Sequence, residues 1–202
     1  MDNESNAPAA GSPSVELQTY DASQFVGLDV NARDGDIGRI DDVYFDDASW
    51  TIRYLVVETG NWLTGRKVLV SPHAVNSVLM VEGCILVDLT RRQVQESPDF
   101  DSDKPVSRQF ETQFYAYYGY PEYWRGAYLS SAGSAAYGGE VSGGAAEGDE
   151  SASGDPHLQS VRDVIGYHVH ALDDAVGHVE TLLVDESTWS ITAIVISTRN
   201  WL

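Results

Sequence analysis

Residues 25–63 and residues 164–202 of this chain align without a gap at a constant offset of 139, and thirteen of the 39 aligned pairs are identical. Unrelated stretches of ordinary composition would share roughly two or three, so the chain carries a duplicated unit, which bounds its architecture before any other pattern is read. The identical pairs include Gly27/Gly166, Val30/Val169, Asp34/Asp173, Gly38/Gly177, Asp46/Asp185, Trp50/Trp189 and Ile52/Ile191, and both copies close on Asn-Trp-Leu. Past that point the first copy continues through residues 64–89 in strand-like sequence that the second copy lacks. One whole unit and one cut short are expected. Two outcomes follow: a shortened version of a longer protein, or a half-unit completed by a second copy in a symmetric homodimer that covers its apolar edge.

Within the first copy, Leu28-Asp29-Val30-Asn31-Ala32 alternates as a strand, Asp34-Gly35 supplies a two-residue hairpin turn, and residues 37–45 return. Gly38, just past the turn, marks a bulge. Asp46-Asp47-Ala48-Ser49 forms the next turn, its side-chain oxygens placed to accept from nearby amides. Residues 50–59 make a third strand in which Trp50, Ile52, Tyr54 and Val56 share one face, and Trp50 and Trp189 are expected to be buried at equivalent places. A strand apolar on one face throughout, and on both faces at one end, suits a curled sheet. About six strands complete the first unit. Thr90-Arg91-Arg92-Gln93 has capping-box spacing and opens a short helix. Phe110, Phe114 and Tyr117 or Tyr118 recur at three and four, as an amphipathic helix requires.

The chain holds 31 acidic side chains against 12 basic ones, a formal charge of −19. That field repels phosphate backbones, so nucleic acid is not an expected partner. Few lysines beside many aspartates fits solubility in general and a high-salt cytoplasm in particular. Residues 1–16 have no basic start and no apolar core, so they read as a disordered tail rather than a signal peptide. No run reaches 18 apolar residues, which speaks against membrane insertion. A cytoplasmic location is expected.

Catalytic chemistry has no visible carrier. His168, His170 and His178 could suit zinc, but with Asp173-Asp174 as the turn His178 faces away from the other two, and the first copy has Asp29, Asn31 and Arg39 at these places. Asp41-Asp42, Asp46-Asp47 and Asp185-Glu186 lack the alternating ligands of a calcium loop. No nucleophile elbow, phosphate loop or His-Glu-x-x-His occurs, and Cys84 lies in an apolar run as a small hydrophobe. No catalytic residue, metal or cofactor is expected. The most distinctive unrepeated feature is aromatic: nine Phe, Tyr and Trp residues fall between Phe110 and Tyr128. Some dock a helix on the first unit. Tyr117, Tyr120, Tyr123 and Trp124 are the candidates for binding a partner, because Tyr and Trp bring large contact area at low entropic cost.

Phe25-Val26-Gly27, Asp34-Gly35-Asp36-Ile37-Gly38-Arg39-Ile40, Tyr54-Leu55-Val56-Val57 and Gly65-Arg66-Lys67-Val68-Leu69-Val70-Ser71-Pro72 resemble a PRC-barrel domain. The resemblance extends over residues 17–97 and 158–202. It is similar to the bacterial subgroup with two such barrels, in which a segment like Tyr115-Ala116-Tyr117-Tyr118-Gly119-Tyr120-Pro121-Glu122-Tyr123-Trp124 follows the first. It implies an all-β fold of two small six-stranded PRC-type β-barrels, the second incomplete. The same barrel occurs in the cytoplasmic domain of the photosynthetic reaction-centre H subunit and in a ribosome-maturation factor, where it holds other macromolecules without catalysis. The expected organisation is a tail at 1–16, a first barrel at 17–97, a helical aromatic-rich segment at 98–128, a flexible Gly/Ala/Ser linker at 129–156 and a second, truncated barrel at 157–202. The expected function is a non-enzymatic protein-interaction or scaffold module. The alternatives are a small-ligand-binding barrel and, after it, a metal-binding protein or enzyme.

Overall fold

A computed structural model describes residues 18–102, 104–124, 155–170 and 175–198. The expected tail, most of the expected linker and the Asp173-Asp174 turn lie outside the described residues. Repeat one supplies β1 (Thr19–Asp21), β2 (Asp29–Ala32), β3 (Gly35–Asp46), β4 (Thr51–Glu58), β5 (Lys67–Val70), β6 (Val75–Leu79) and β7 (Cys84–Val87). Helices α1 (Arg91–Gln95) and α2 (Arg108–Tyr118) follow, and repeat two adds β8 (Leu158–Ser160), α3 (Val161–Val164), β9 (His168–His170), β10 (Ala175–Asp185) and β11 (Ser190–Ser197).

All eleven strands join one curled sheet, ordered β1-β10-β11-β4-β3-β2-β7-β6, with β5 on β4, β8 on β3 and β9 on β10. β2 and β7 run parallel, and the other pairs are antiparallel. Two separate all-β barrels are therefore not what forms. The fold is mixed α/β, and the helices are structural rather than appended. β4 and β5 are buried on both faces: Ile52, Leu55, Val57, Val68 and Val70 point into the main core, while Tyr54, Val56 and Leu69 form a second core under Phe114 and Tyr115 of α2. The outer face of these strands is apolar because a helix lies on it.

The main core runs continuously from repeat one (Phe25, Ile37, Ile40, Phe45) into repeat two (Val161, Leu182, Val184, Trp189). The short strands are exchanged between repeats. β1 pairs with β10 through Thr19↔Asp185, Tyr20↔Val184 and Asp21↔Leu183. β8 pairs with β3 through Leu158↔Asp46, Gln159↔Phe45 and Ser160↔Tyr44, which are the same three positions displaced by 139. At the centre Ser190 faces Thr51, the Ile52 amide donates to the Trp189 carbonyl at 2.8 Å and the Ile191 amide to the Trp50 carbonyl at 2.7 Å. A local two-fold axis thus relates the repeats.

Three bulges occupy equivalent places in each repeat: at Ile37 and Val176, at Asp41 and Glu180, and at Arg53 and Thr192. The first stands beside Gly38 and Gly177, as the isolated glycine implied. The third reverses strand alternation, so Ile52 joins Leu55 and Val57 in the main core instead of sharing a face with Tyr54 and Val56. The first hairpin also differs from expectation. Ala32 pairs with Gly35, so the turn residues are Arg33 and Asp34, one position earlier than predicted. The Asp turns form as read: Asp46 Oδ1 accepts from the Ala48 and Ser49 amides at 3.0 and 2.7 Å, and Asp185 Oδ1 from the Ser187 and Thr188 amides at 2.8 and 3.2 Å. Each turn ends in a left-handed tryptophan, Trp50 at φ 52° and Trp189 at φ 57°. Trp189 is buried at 9% exposure, but Trp50 is 39% exposed, against the expectation that both are buried. Phe25 lies 5.4 Å from the Trp189 ring, whereas the position equivalent to Phe25 in repeat two is the smaller Val164.

Candidate partner-binding surface

The aromatic segment is placed by two capped helices. Thr90 and Gln93 form the capping box that their spacing implied, with the Gln93 side chain accepting from the Thr90 amide at 2.8 Å. Ser107 starts α2 by accepting from the Phe110 amide at 3.2 Å, and α2 ends at Gly119. The spacing of Phe110, Phe114, Tyr115 and Tyr118 turns one face of α2 onto β4 and β5.

Beneath α2 lies a buried polar cluster. The Glu111 side chain is fully buried at 0% exposure. Its Oε1 accepts from Tyr54 Oη at 2.8 Å and from Tyr123 Oη at 2.7 Å. Its Oε2 has Arg108 Nη1 at 2.7 Å, although no well-aligned hydrogen bond reaches that atom. Arg108 also bonds Asp155 Oδ2 at 2.5 Å, which ties the start of repeat two to α2. Burial raises the Glu111 carboxyl above its ordinary range, opposed by Tyr123, Arg108 and Tyr54. The same burial pushes the Tyr115 phenol up to about 12 and the Tyr54 phenol well above its usual value. Phenols held neutral in this way donate and do not act as bases. The arrangement is a structural clamp.

The four predicted partner-binding residues surround this clamp. Tyr117 is the most open, at 40% exposure, and its hydroxyl donates to the Gln93 carbonyl at 2.9 Å. Tyr120 is half-buried, stacked on Tyr118 at 5.4 Å and beside the His73 ring at 5.2 Å. Tyr123 is half-buried under the Arg53 guanidinium, 3.6 Å from its ring centroid. Trp124 is half-buried against Tyr115 at 5.1 Å, with Arg108 4.7 Å from its ring centroid. Tyr123 and Trp124 thus pack on the second core and Tyr120 on both cores, Tyr117 lies against α1, and all four retain exposed area. Tyr128, also in the aromatic segment, lies outside the described residues.

The region also borders a surface groove of about 750 Å³ between the repeats, lined by Arg53, His73, Tyr115, Thr188 and Trp189 among others. Its walls are mixed polar and apolar, and the interior of the sheet is filled by core side chains. His168 faces His178 directly because the bulge at Val176 shifts the register by one from that expected. The equivalent pair in repeat one is the Asp29–Arg39 ion pair at 2.9 Å. Among the described residues no group of three or more His, Cys, Asp and Glu is arranged to hold a metal. Cys84 is half-buried. Sequence reasoning missed the Arg108–Glu111–Asp155 cluster; the spacing of three between Arg108 and Glu111 on an amphipathic helix was its one visible sign.

Residues 18–94 match the family model described as PRC-barrel domain, and this stretch of the chain is such a domain. It takes in the whole of repeat one and the first residues of α1, and repeat two lies beyond it. PRC-barrel domains are non-catalytic and are generally known as protein-interaction or scaffold modules. No curated protein matches the chain. Among the described residues no helix is long and apolar enough to cross a membrane.

Proposed function

We propose that this chain is a two-repeat scaffold that presents the aromatic segment on a rigid PRC-barrel platform to a protein partner, with Tyr117, Tyr120, Tyr123 and Trp124 as contact residues. The observation that carries this reading is that α2 has its own buried core and polar clamp on the outer face of the matched domain, so its aromatics are held in place before any partner arrives. Such pre-ordering lowers the entropic cost of association. The formal charge of −19 favours protein over nucleic acid as the partner. We take the second repeat as a further PRC-type unit, a reading that the offset-related strands and bulges support, and we propose a cytoplasmic location for the protein. Completion of repeat two by a second copy stays within this reading, because beyond Ser190 β11 pairs with β10 alone among the described residues.

The test is affinity capture of the natural protein from its own cells with mass spectrometry, run in parallel with the double variant Tyr117→Ala/Trp124→Ala. The expected result is a specific protein retained by the wild type and released by the variant while the thermal midpoint of the variant stays within a few degrees, since the two side chains are partly exposed. Equal capture by a folded variant would remove the aromatic segment from the interface.

A further inference from the structure

The exchanged strands meet at two junctions related by the offset of 139, and the polar chemistry at the two is reversed. At one junction the Thr181 hydroxyl donates to Asp21 Oδ1. At the other the Ser160 hydroxyl donates to Asp42 Oδ2 at 2.6 Å. Position 160 is the counterpart of 21, and 181 is the counterpart of 42. Each junction therefore joins one carboxylate to one hydroxyl, but the carboxylate stands on β1's side of the first junction and on β3's side of the second. Both carboxylates come from repeat one, and both hydroxyls from repeat two. Asp42, Thr181 and the carboxylate-capped start of the turn Ala22–Phe25 are buried or nearly so.

We infer that Asp21 and Asp42 make the strand-exchange surface of repeat one refuse a second copy of itself and accept a barrel repeat that carries hydroxyls at the two facing positions. The local two-fold axis states what a pairing of repeat one with itself would contain. Position 21 of one unit would meet position 42 of the other, twice, so four carboxylates would form two like-charged pairs at hydrogen-bond distance. A carboxylate has no proton to donate, and two of them at such a distance cannot both stay ionised. A hydroxyl at one of the two positions removes the conflict, because it donates to the carboxylate. Selection of a partner by an unfavourable alternative is how related surfaces are kept apart.

Two further contacts cross the same boundary in the same sense. Arg162 of repeat two reaches Asp41 at 3.0 Å, and His157 Nδ1 lies 2.8 Å from Asp47 Oδ1. The counterparts of Arg162 and His157 in repeat one are Ser23 and Gln18, which carry no positive charge. Pairing of repeat one with itself would lose both cations as well as gain the carboxylate conflict. The acceptable partner is thus a PRC-type repeat with hydroxyls opposite Asp21 and Asp42 and basic groups opposite Asp41 and Asp47, which repeat two supplies within the chain.

The test exchanges the chemistry of each junction in the full chain. Thr181→Asp imposes the carboxylate pair on the first junction, and Asp21→Ser/Thr181→Asp rebuilds there the serine-to-aspartate bond seen at the second. Ser160→Asp and Ser160→Asp/Asp42→Thr do the converse. We expect each single variant to lower the thermal midpoint by about 4 °C or more, and each double variant to regain at least half of that loss, a non-additive recovery. A single variant that fails to fold while its double folds gives the same support. Double variants no more stable than Thr181→Asp and Ser160→Asp would overturn the inference, because a merely structural role for these side chains predicts that two substitutions cost more than one.

Discussion

Repeat one and repeat two share a backbone and differ in what surrounds it. The three bulges, the Asp turn and the left-handed tryptophan recur at equivalent positions. So do the backbone bonds that close the first loop: the Gly27 amide to the Ile40 carbonyl, and the Gly166 amide to the Val179 carbonyl, each at 2.8 Å. Repeat one is then covered by β5, β6, β7 and α2, whereas repeat two among the described residues is covered by its exchange with repeat one. The lesson is that a handful of residues, Gly38/Gly177, Asp46/Asp185 and Trp50/Trp189, suffices to shape the sheet, while the remaining positions answer to local packing. Tyr54 and Val56 bear α2, whereas among the described residues no helix packs on their counterparts Ala193 and Val195 in the second core.

The largest difference between the repeats should appear at the tryptophans. Trp189→Ala removes a buried indole packed on Phe25 and should cost about 3–5 kcal/mol, the range for aromatic truncation in a core. Trp50→Ala removes a ring that is 39% exposed and stacked on Phe45 at 5.9 Å, and it should cost about 1 kcal/mol. Urea unfolding of both variants measures the contrast. Equal losses would mean that the two repeats are packed alike.

The glycines should behave in the opposite way, as equals. A Cβ on Gly38 would lie 2.0 Å from the Glu58 carbonyl oxygen, and one on Gly177 would lie 2.1 Å from the Ser197 oxygen. Both glycines also have φ near +150°, which side chains resist. Gly38→Ala and Gly177→Ala should each cost about 1–3 kcal/mol. A much milder Gly177→Ala would sharpen the comparison: the β10–β11 pair, without β5 to hold it, would be the one that yields.

These contrasts mark how far the sequence could be read. The repeat, the bulge at Gly38, the Asp turns, the capping box and the amphipathic α2 all have local signatures in spacing or residue type. The strand exchange has none. Residues 18–21 and 157–160 are equivalent yet share no identity, and strands of three residues show no periodicity. Bulges at Asp41 and Arg53 lack a glycine to mark them, so simple alternation put Ile52 on the wrong face. The all-β expectation failed for a related reason: the sheet does curl, but the apolar outer face of β4, with Tyr54 and Val56, is also the floor of a helix that belongs to the fold. At the candidate surface, Tyr117, Tyr120, Tyr123 and Trp124 were visible as a composition. The buried Glu111 beneath them was not, because Asp155, which completes its cluster through Arg108, comes from 47 residues further on.

The smallest expected effect concerns the charge that only one junction carries. His157 Nδ1 bonds Asp47, while the matching place in repeat one is Gln18, an amide with no proton to lose. The bond to Asp47 raises the His157 imidazole above its ordinary value of 6.5, with a smaller opposing cost of burial and further help from Asp155 and Asp46. A group whose folded value is raised stabilises the fold in full below its unfolded value, and that contribution is lost as pH rises through the folded value. The wild-type thermal midpoint should therefore fall slightly as pH rises from just below the imidazole range to above it. His157→Gln, which gives this junction the residue found at the other, should flatten that part of the profile and leave the midpoint above the imidazole range nearly unchanged. The exposed position of His157 keeps the effect small, and added salt should shrink it further. Parallel pH profiles for wild type and His157→Gln would show that the imidazole does not distinguish the junctions, and their asymmetry would then rest on the carboxylate and hydroxyl pairs and on the Arg162–Asp41 ion pair.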